Sequence, residues 1–208
     1  MTTTNCNQQE QTENDIEKWY VLSVSYRKEM AIQDELSAKG FETYIPLRYE
    51  LRTRNGKKTR LQVPAISGLV FVRGSIKCLI EFRETCRLRD YVFLKKQVAK
   101  GKVSHYLFVR DRDMLNFKKV NEINGSKLTY FLPDELKLAK GSEVELMDGP
   151  FKGITGIVQQ LPGKRGKYFV VSLPGVAIAA VKMEPKYVKP LTMKVEKSSN
   201  VERDTKDL

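Results

Sequence analysis

Histidine and tryptophan are almost missing from this 208-residue chain, with one of each, and only three cysteines occur. His105 stands without any G-x-S-x-G or H-E-x-x-H around it, so histidine-based catalysis has no visible support and no enzyme is expected. Cys6, Cys78 and Cys86 form no C-x-x-C pair, and an odd number cannot all pair within one chain. No metal site is expected from that spacing, and a reducing, cytoplasmic compartment fits it best. Long hydrophobic runs are lacking too: the longest, Val176 to Val181, is six residues, far below the roughly 18–20 of a membrane span. The opening Met-Thr-Thr-Thr-Asn-Cys-Asn-Gln-Gln has neither a basic n-region nor an apolar h-region, so no signal peptide is expected.

Positive charge is what the chain has in excess. Lys+Arg number 37 against Asp+Glu 25, a net charge of +12, in a chain that is 41% hydrophobic and 30% charged. That apolar content can bury a core, which excludes wholesale disorder, and the charge points to a polyanion or an acidic protein surface. The excess is not spread evenly. Residues 17–120 carry 23 basic and 11 acidic side chains, and residues 137–192 carry 9 and 4. Residues 1–16 are net −3, 121–136 net −2, and 193–208 balanced. Both ends read as solvated tails.

Along the chain, Lys18 begins a run Trp-Tyr-Val-Leu-Ser-Val-Ser-Tyr with strand character. Arg27 to Lys39 reads as a short amphipathic helix, with Ile32 and Leu36 one turn apart and Gly40 as its stop. Phe41 to Leu51 returns to strand, with Pro46 at an edge or bulge, and Asn55-Gly56 is a hairpin signal because both residues tolerate positive φ. The returning arm ends in Gly68-Leu-Val-Phe-Val-Arg, a buried strand, after which Ser75 can cap a helix bearing Ile76, Leu79 and Ile80. Leu88 to Leu94 and Tyr106 to Arg110 read as short strands, and Asp111 or Asp113 opens a further helix with Met114 and Phe117 three apart.

The expected fold class is α+β: an N-terminal α/β sandwich over residues 17–121 with helices on a mainly antiparallel sheet. The turn-rich stretch 122–138 reads as a linker. Beyond it, Gly and Pro recur between short alternating apolar runs, so residues 139–192 are expected to form a small β-barrel.

Leu146-Met-Asp-Gly-Pro-Phe-Lys-Gly-Ile-Thr-Gly-Ile-Val158 resembles a KOW motif, the glycine-bearing hairpin of an SH3-like barrel. Its core residues here are Asp148, Gly149, Pro150, Phe151, Gly153 and Gly156. Upstream, Lys18-Trp-Tyr-Val, Tyr44-Ile-Pro46 and Ser67-Gly-Leu-Val-Phe-Val72 resemble the ordered landmarks of a NusG N-terminal domain. Together they cover about residues 17–192 and are similar to a NusG-like elongation factor, of the specialised RfaH or UpxY kind. The resemblance implies a non-catalytic, cofactor-free, monomeric transcription antitermination factor. Such a factor docks an apolar patch on the clamp helices of the RNA polymerase β′ subunit, favours the closed clamp, suppresses pausing, and serves particular long operons such as polysaccharide loci. It also implies a barrel that recruits NusE or Rho, although Leu173-Pro174-Gly175-Val176 departs from the usual aromatic-Gly-Arg there.

Carried onto this chain, the polymerase-binding patch is Ile66, Leu69, Tyr44 and Trp19. By residue type alone Ile66 and Leu69 suit a core as well as a docking surface, and Trp19 at a strand start suits core packing. Arg48, Arg52, Arg54, Lys57, Lys58 and Arg60, against Glu50 alone, surround the Asn-Gly turn and are candidates to lie near phosphates of non-template DNA or nascent RNA. The bland alternative is a hairpin kept soluble by charge. Arg27, Lys28 and Lys39 flank the first helix as further candidates. A competing function is a KOW-containing RNA-binding protein acting on ribosomes or transcript leaders.

Overall fold

The architecture is that of a computed structural model, which describes residues 16–54, 56–97, 105–124, 128–138, 143–149, 151–182 and 188–190. Strand β1 (Lys18–Val24) lies at the centre of the N-terminal sheet, between β5 (Leu69–Gly74) on one side and β6 (Val92–Leu94) with β9 (Phe108–Val109) on the other. β2 (Glu42–Tyr44) completes the edge beyond β5, and every pairing is antiparallel. A five-stranded antiparallel sheet results.

Alternation along β1 and β5 assigns their side chains to two buried faces, because successive residues of a strand point to opposite sides. Tyr20, Leu22, Val24, Val70 and Val72 pack with Ile32 and Leu36 of α1 (Glu29–Ala38) and with Ile76, Leu79 and Phe82 of α2 (Ile76–Thr85). Trp19, Val21, Leu69 and Phe71 pack on the other face with Met114, Phe117 and Val120 of α3 (Asp111–Asn124). Both faces are covered, which is why these strands are apolar at nearly every position rather than alternating.

The caps agree with the local chemistry. Ser75 Oγ accepts the Cys78 N–H at 3.3 Å and starts α2. Gly40 takes φ +83 just after α1, where its N–H reaches the Ser37 carbonyl. α1 begins at Glu29 instead of Arg27, because Tyr26 and Arg27 both adopt left-handed backbone with φ 55.

Strands β3 (Leu47–Arg54) and β4 (Lys57–Pro64) pair only with each other and form a protruding two-stranded hairpin. Asn55 of the expected turn lies outside the described residues, and Gly56 has φ +75, as a positive-φ turn requires. A second small ladder joins β7 (Lys96–Gln97) to β8 (His105–Tyr106).

The C-terminal part is a six-stranded antiparallel sheet. Its strands are β10 (Thr129–Phe131), β11 (Glu143–Leu146), β12 (Thr155–Gln160), β13 (Lys167–Leu173), β14 (Ala177–Lys182) and β15 (Val188–Pro190), in the spatial order 10-14-13-12-11-15. The stretch expected as a linker, 122–138, is therefore partly structured: α3 continues to Asn124, and β10 adds to the edge of β14.

The two sheets are not independent. One buried cluster runs from Trp19, Leu69 and Phe71 through Phe117 of α3 to Val171, Leu173, Ala177 and Ala179 of β13 and β14. The other face of the C-terminal sheet has its own small cluster, with Tyr168, Val170, Ile178 and Ala180 over Leu136 and Leu161.

Candidate docking surface and nucleic-acid interface

The four apolar residues expected to form a docking patch do converge, but not on open surface. Trp19 is 4% exposed, Leu69 4% and Ile66 7%, and all three belong to the cluster that continues into the C-terminal sheet. Tyr44 is half-buried against that cluster, its ring centroid 6.3 Å from that of Phe71. The expectation of an exposed apolar spot is thus corrected: α3 and the C-terminal sheet complete the packing around it.

The segment that carries Ile66 and Leu69 is held rigidly. Gly68 donates its N–H to Glu29 Oε1 at 2.6 Å, and its carbonyl accepts the Val24 N–H at 2.9 Å. At φ +76 an added Cβ would lie 3.1 Å from the Val24 carbonyl oxygen, so glycine is required here on two counts. Beside the patch, Lys118 lies 4.0 Å from the Trp19 ring centroid and 5.4 Å from that of Tyr44, and pairs with Glu42 at 3.0 Å.

Polar contacts join the two halves at α3. Arg112 Nη2 and Asn116 Nδ2 both donate to Thr155 Oγ1, at 3.2 and 3.1 Å. Asn116 is buried, so its amide depends on that partner. The Tyr130 hydroxyl donates to Asn121 Oδ1, and the Phe117 and Tyr130 rings meet edge-on at 6.2 Å. Burial holds the Tyr44 hydroxyl well above the ordinary tyrosine range, with neighbouring Tyr130 and Glu122 adding to the effect. Burial raises Tyr130 likewise. Both therefore stay neutral in the seam.

The basic hairpin is exposed as expected. Arg48, Arg52, Lys57, Lys58 and Arg60 are all open to solvent; the side chain of Arg54 lies outside what is described. Arg48 and Arg52 share the Glu50 carboxylate, at 3.9 and 3.2 Å. Such exposed pairs contribute only about 0–1 kcal/mol each, so they leave the arginines available. Arg27 joins Arg48 and Arg52 around an open groove of about 610 Å³ between the hairpin base and the start of α1. Lys28 is exposed at the N-cap of α1, whereas Lys39 lies at its far end and lines a different depression, with Glu17 and Arg73.

In the glycine-rich segment, Asp148 Oδ1 accepts the Gly149 N–H at 2.7 Å, and Gly149 and Gly153 take φ +81 and +78. Gly153 N–H reaches the Leu146 carbonyl at 2.7 Å, and Phe151 is buried. Pro150 lies outside the described residues. Gly156 of the motif sits within β12, opposite Val144. A Cβ there would come within 2.5 Å of the Val170 carbonyl oxygen, so the residue is small because a neighbouring backbone passes close by.

Sequence reasoning missed the Arg112–Asn116–Thr155 contact, although the i, i+4 spacing of the first two already places them on one stripe of a helix. It also missed the stacking of Arg60 on Tyr49, with the guanidinium carbon 3.7 Å from the ring centroid.

A helix-covered antiparallel sheet with a projecting cationic hairpin, packed through α3 on a second antiparallel sheet, defines an α+β protein built around extended surfaces. Residues 17–118 match the family model described as transcription termination factor nusG. That match, over just under half of the chain, supports a NusG-like transcription factor with the family's domain at residues 17–118. Proteins of that family are non-enzymatic and bind RNA polymerase, and the domain marks a role in transcription elongation or antitermination. No curated protein matches the chain. Among the described residues no helix is long and apolar enough to cross a membrane.

Proposed function

We propose that this chain is a cytoplasmic, monomeric antitermination factor that docks on the β′ clamp helices of RNA polymerase through the face carrying Trp19, Tyr44, Ile66 and Leu69. Docking favours the closed, elongating clamp and suppresses pausing, because a ligand that binds one of two conformations more tightly shifts the population toward it. The operons served are particular long ones, such as polysaccharide loci. The C-terminal sheet acts as an SH3-like KOW barrel that can engage NusE or Rho, and the hairpin runs close to non-template DNA or nascent RNA.

The observation that carries this reading is the continuous apolar cluster shared by the N-terminal sheet, α3 and the C-terminal sheet. In the form described here the docking residues are buried in a cluster that α3 and the C-terminal sheet complete. Polymerase must therefore compete with that cover, and its apparent affinity is reduced by the fraction of molecules in which the cover is open.

Thr155→Val tests the competition. The substitution removes the shared acceptor of Arg112 and Asn116, and leaving a buried amide unpaired costs about 1–3 kcal/mol in the covered form only. Binding to purified core polymerase should tighten roughly fivefold or more, since every 1.4 kcal/mol is tenfold. Unchanged affinity in a folded variant would remove the covered-patch account. Ile66→Asp or Leu69→Asp is a poorer probe, because both side chains are core residues here and a buried charge would test folding first.

A further inference from the structure

The hairpin has two unlike faces. Directly opposed residues of an antiparallel pair share a face, so the register sets Arg48, Glu50 and Arg52 on one side and Tyr49, Leu51, Lys58, Arg60 and Gln62 on the other. Glu50, the hairpin's one acid, is on the first side, where Arg48 and Arg52 engage it. The second side has no acid, and among the described residues neither Lys58 nor Arg60 forms an ion pair. It also exposes apolar area that a solubilising hairpin has no reason to keep: Leu51 is 71% exposed and Tyr49 50%.

This second face is also ordered in advance. Gln62 Nε2 donates to the Tyr49 hydroxyl at 3.1 Å and fixes the ring. The Arg60 guanidinium carbon sits over that ring, 3.7 Å from its centroid, with Leu51 as the cross-strand partner. Arg60 is exposed, so its guanidinium is accessible to a second flat group from solvent. Arginine stacks in this way where lysine cannot.

We infer that the Tyr49–Leu51–Arg60 face of the hairpin binds single-stranded nucleic acid, a base stacking on the Arg60 guanidinium and Leu51 while Lys58 meets the backbone phosphate. Charge complementarity selects a polyanion. Exposed stacking groups select one whose base faces are uncovered, because a duplex keeps its base faces inside the stack. The inference rests on the reading that the hairpin runs close to nucleic acid, and adds the strand state and the contact chemistry.

The test measures fluorescence anisotropy of a labelled twelve-nucleotide oligo-dT and of a mixed-sequence twelve-base-pair duplex, titrated with the full chain at two salt concentrations. The wild-type protein should prefer the single strand. Arg60→Lys keeps the charge and loses the planar stack, so it should weaken single-strand binding about tenfold, in line with the cost of losing one stacked base, and leave duplex binding nearly unchanged. Lys58→Gln should weaken both and reduce the single-strand log–log salt slope by about 0.7. If Arg60→Lys changes nothing while Lys58→Gln still acts, stacking is wrong and the phosphate reading stands. If neither oligonucleotide binds the wild-type chain, both fall, and an acidic protein surface becomes the occupant of the hairpin.

Discussion

Cys86 illustrates how one side chain's surroundings set its chemistry. It is 6% exposed, donates from Sγ to Glu35 Oε2 at 3.0 Å, and accepts the Leu88 N–H at 3.3 Å. Burial first, and the hydrogen bond to Glu35 second, push its thiol from 9.0 up to about 11. Up to about pH 9 the folded and unfolded chains both hold the proton; between about pH 9 and 11 only the unfolded chain releases it. Stability is therefore lost as pH rises through that window, by on the order of 2 kcal/mol. Urea unfolding of wild type and Cys86→Ala at pH 8 and at pH 10.5 checks this, the variant cancelling every other titrating group. The stability advantage of wild type should shrink at the higher pH, and a constant difference would show that the thiol does not titrate with folding.

Among the elements, α3 bears the most. Its Met114, Phe117 and Val120 stripe packs on the N-terminal sheet, while Arg112 and Asn116, on another stripe, reach Thr155. Phe117 sits between the Phe71 ring at 6.1 Å and the Tyr130 ring at 6.2 Å, and so links the two sheets directly. Phe117→Ala should cost about 3–5 kcal/mol and shift the urea midpoint followed by Trp19 fluorescence. A loss below about 1 kcal/mol would mean that the site collapses around the missing ring. Most of the elements were legible in the sequence because their signals are local. Ser75 before an apolar stripe, Gly40 after one and Gly56 at a hairpin tip each determine a boundary by backbone chemistry alone. β10 was not legible: its three residues carry no alternation long enough to see, and only pairing with the distant β14 makes them a strand. The left-handed backbone at Tyr26 and Arg27 had no sequence signal either, since neither residue favours it.

Across the whole molecule, the candidate patch was legible as a set of residues and illegible as a surface. Leu, Ile and Trp satisfy a core and a docking face equally well, and what distinguishes the two is whether another part of the same chain lies over them. Here α3 and the C-terminal sheet do, so the chain presents its basic hairpin to solvent and keeps its apolar face occupied. Hydrophobic burial and the Thr155 contacts join the halves, and the docking we propose requires polymerase to displace them. The direct test is a double variant, Asn116→Cys with Thr155→Cys, made with Cys6 and Cys78 replaced by serine. Asn116 Nδ2 and Thr155 Oγ1 lie 3.1 Å apart in the covered form, so the two positions face each other across the seam, and an oxidised pair, its formation checked by loss of free thiol, tethers α3 to β12. Affinity for purified core RNA polymerase is then measured on the same sample before and after reduction. The oxidised protein should fail to bind and the reduced protein should bind at least as tightly as wild type; equal binding in both states would contradict a docking face closed by the packing of the C-terminal sheet on α3.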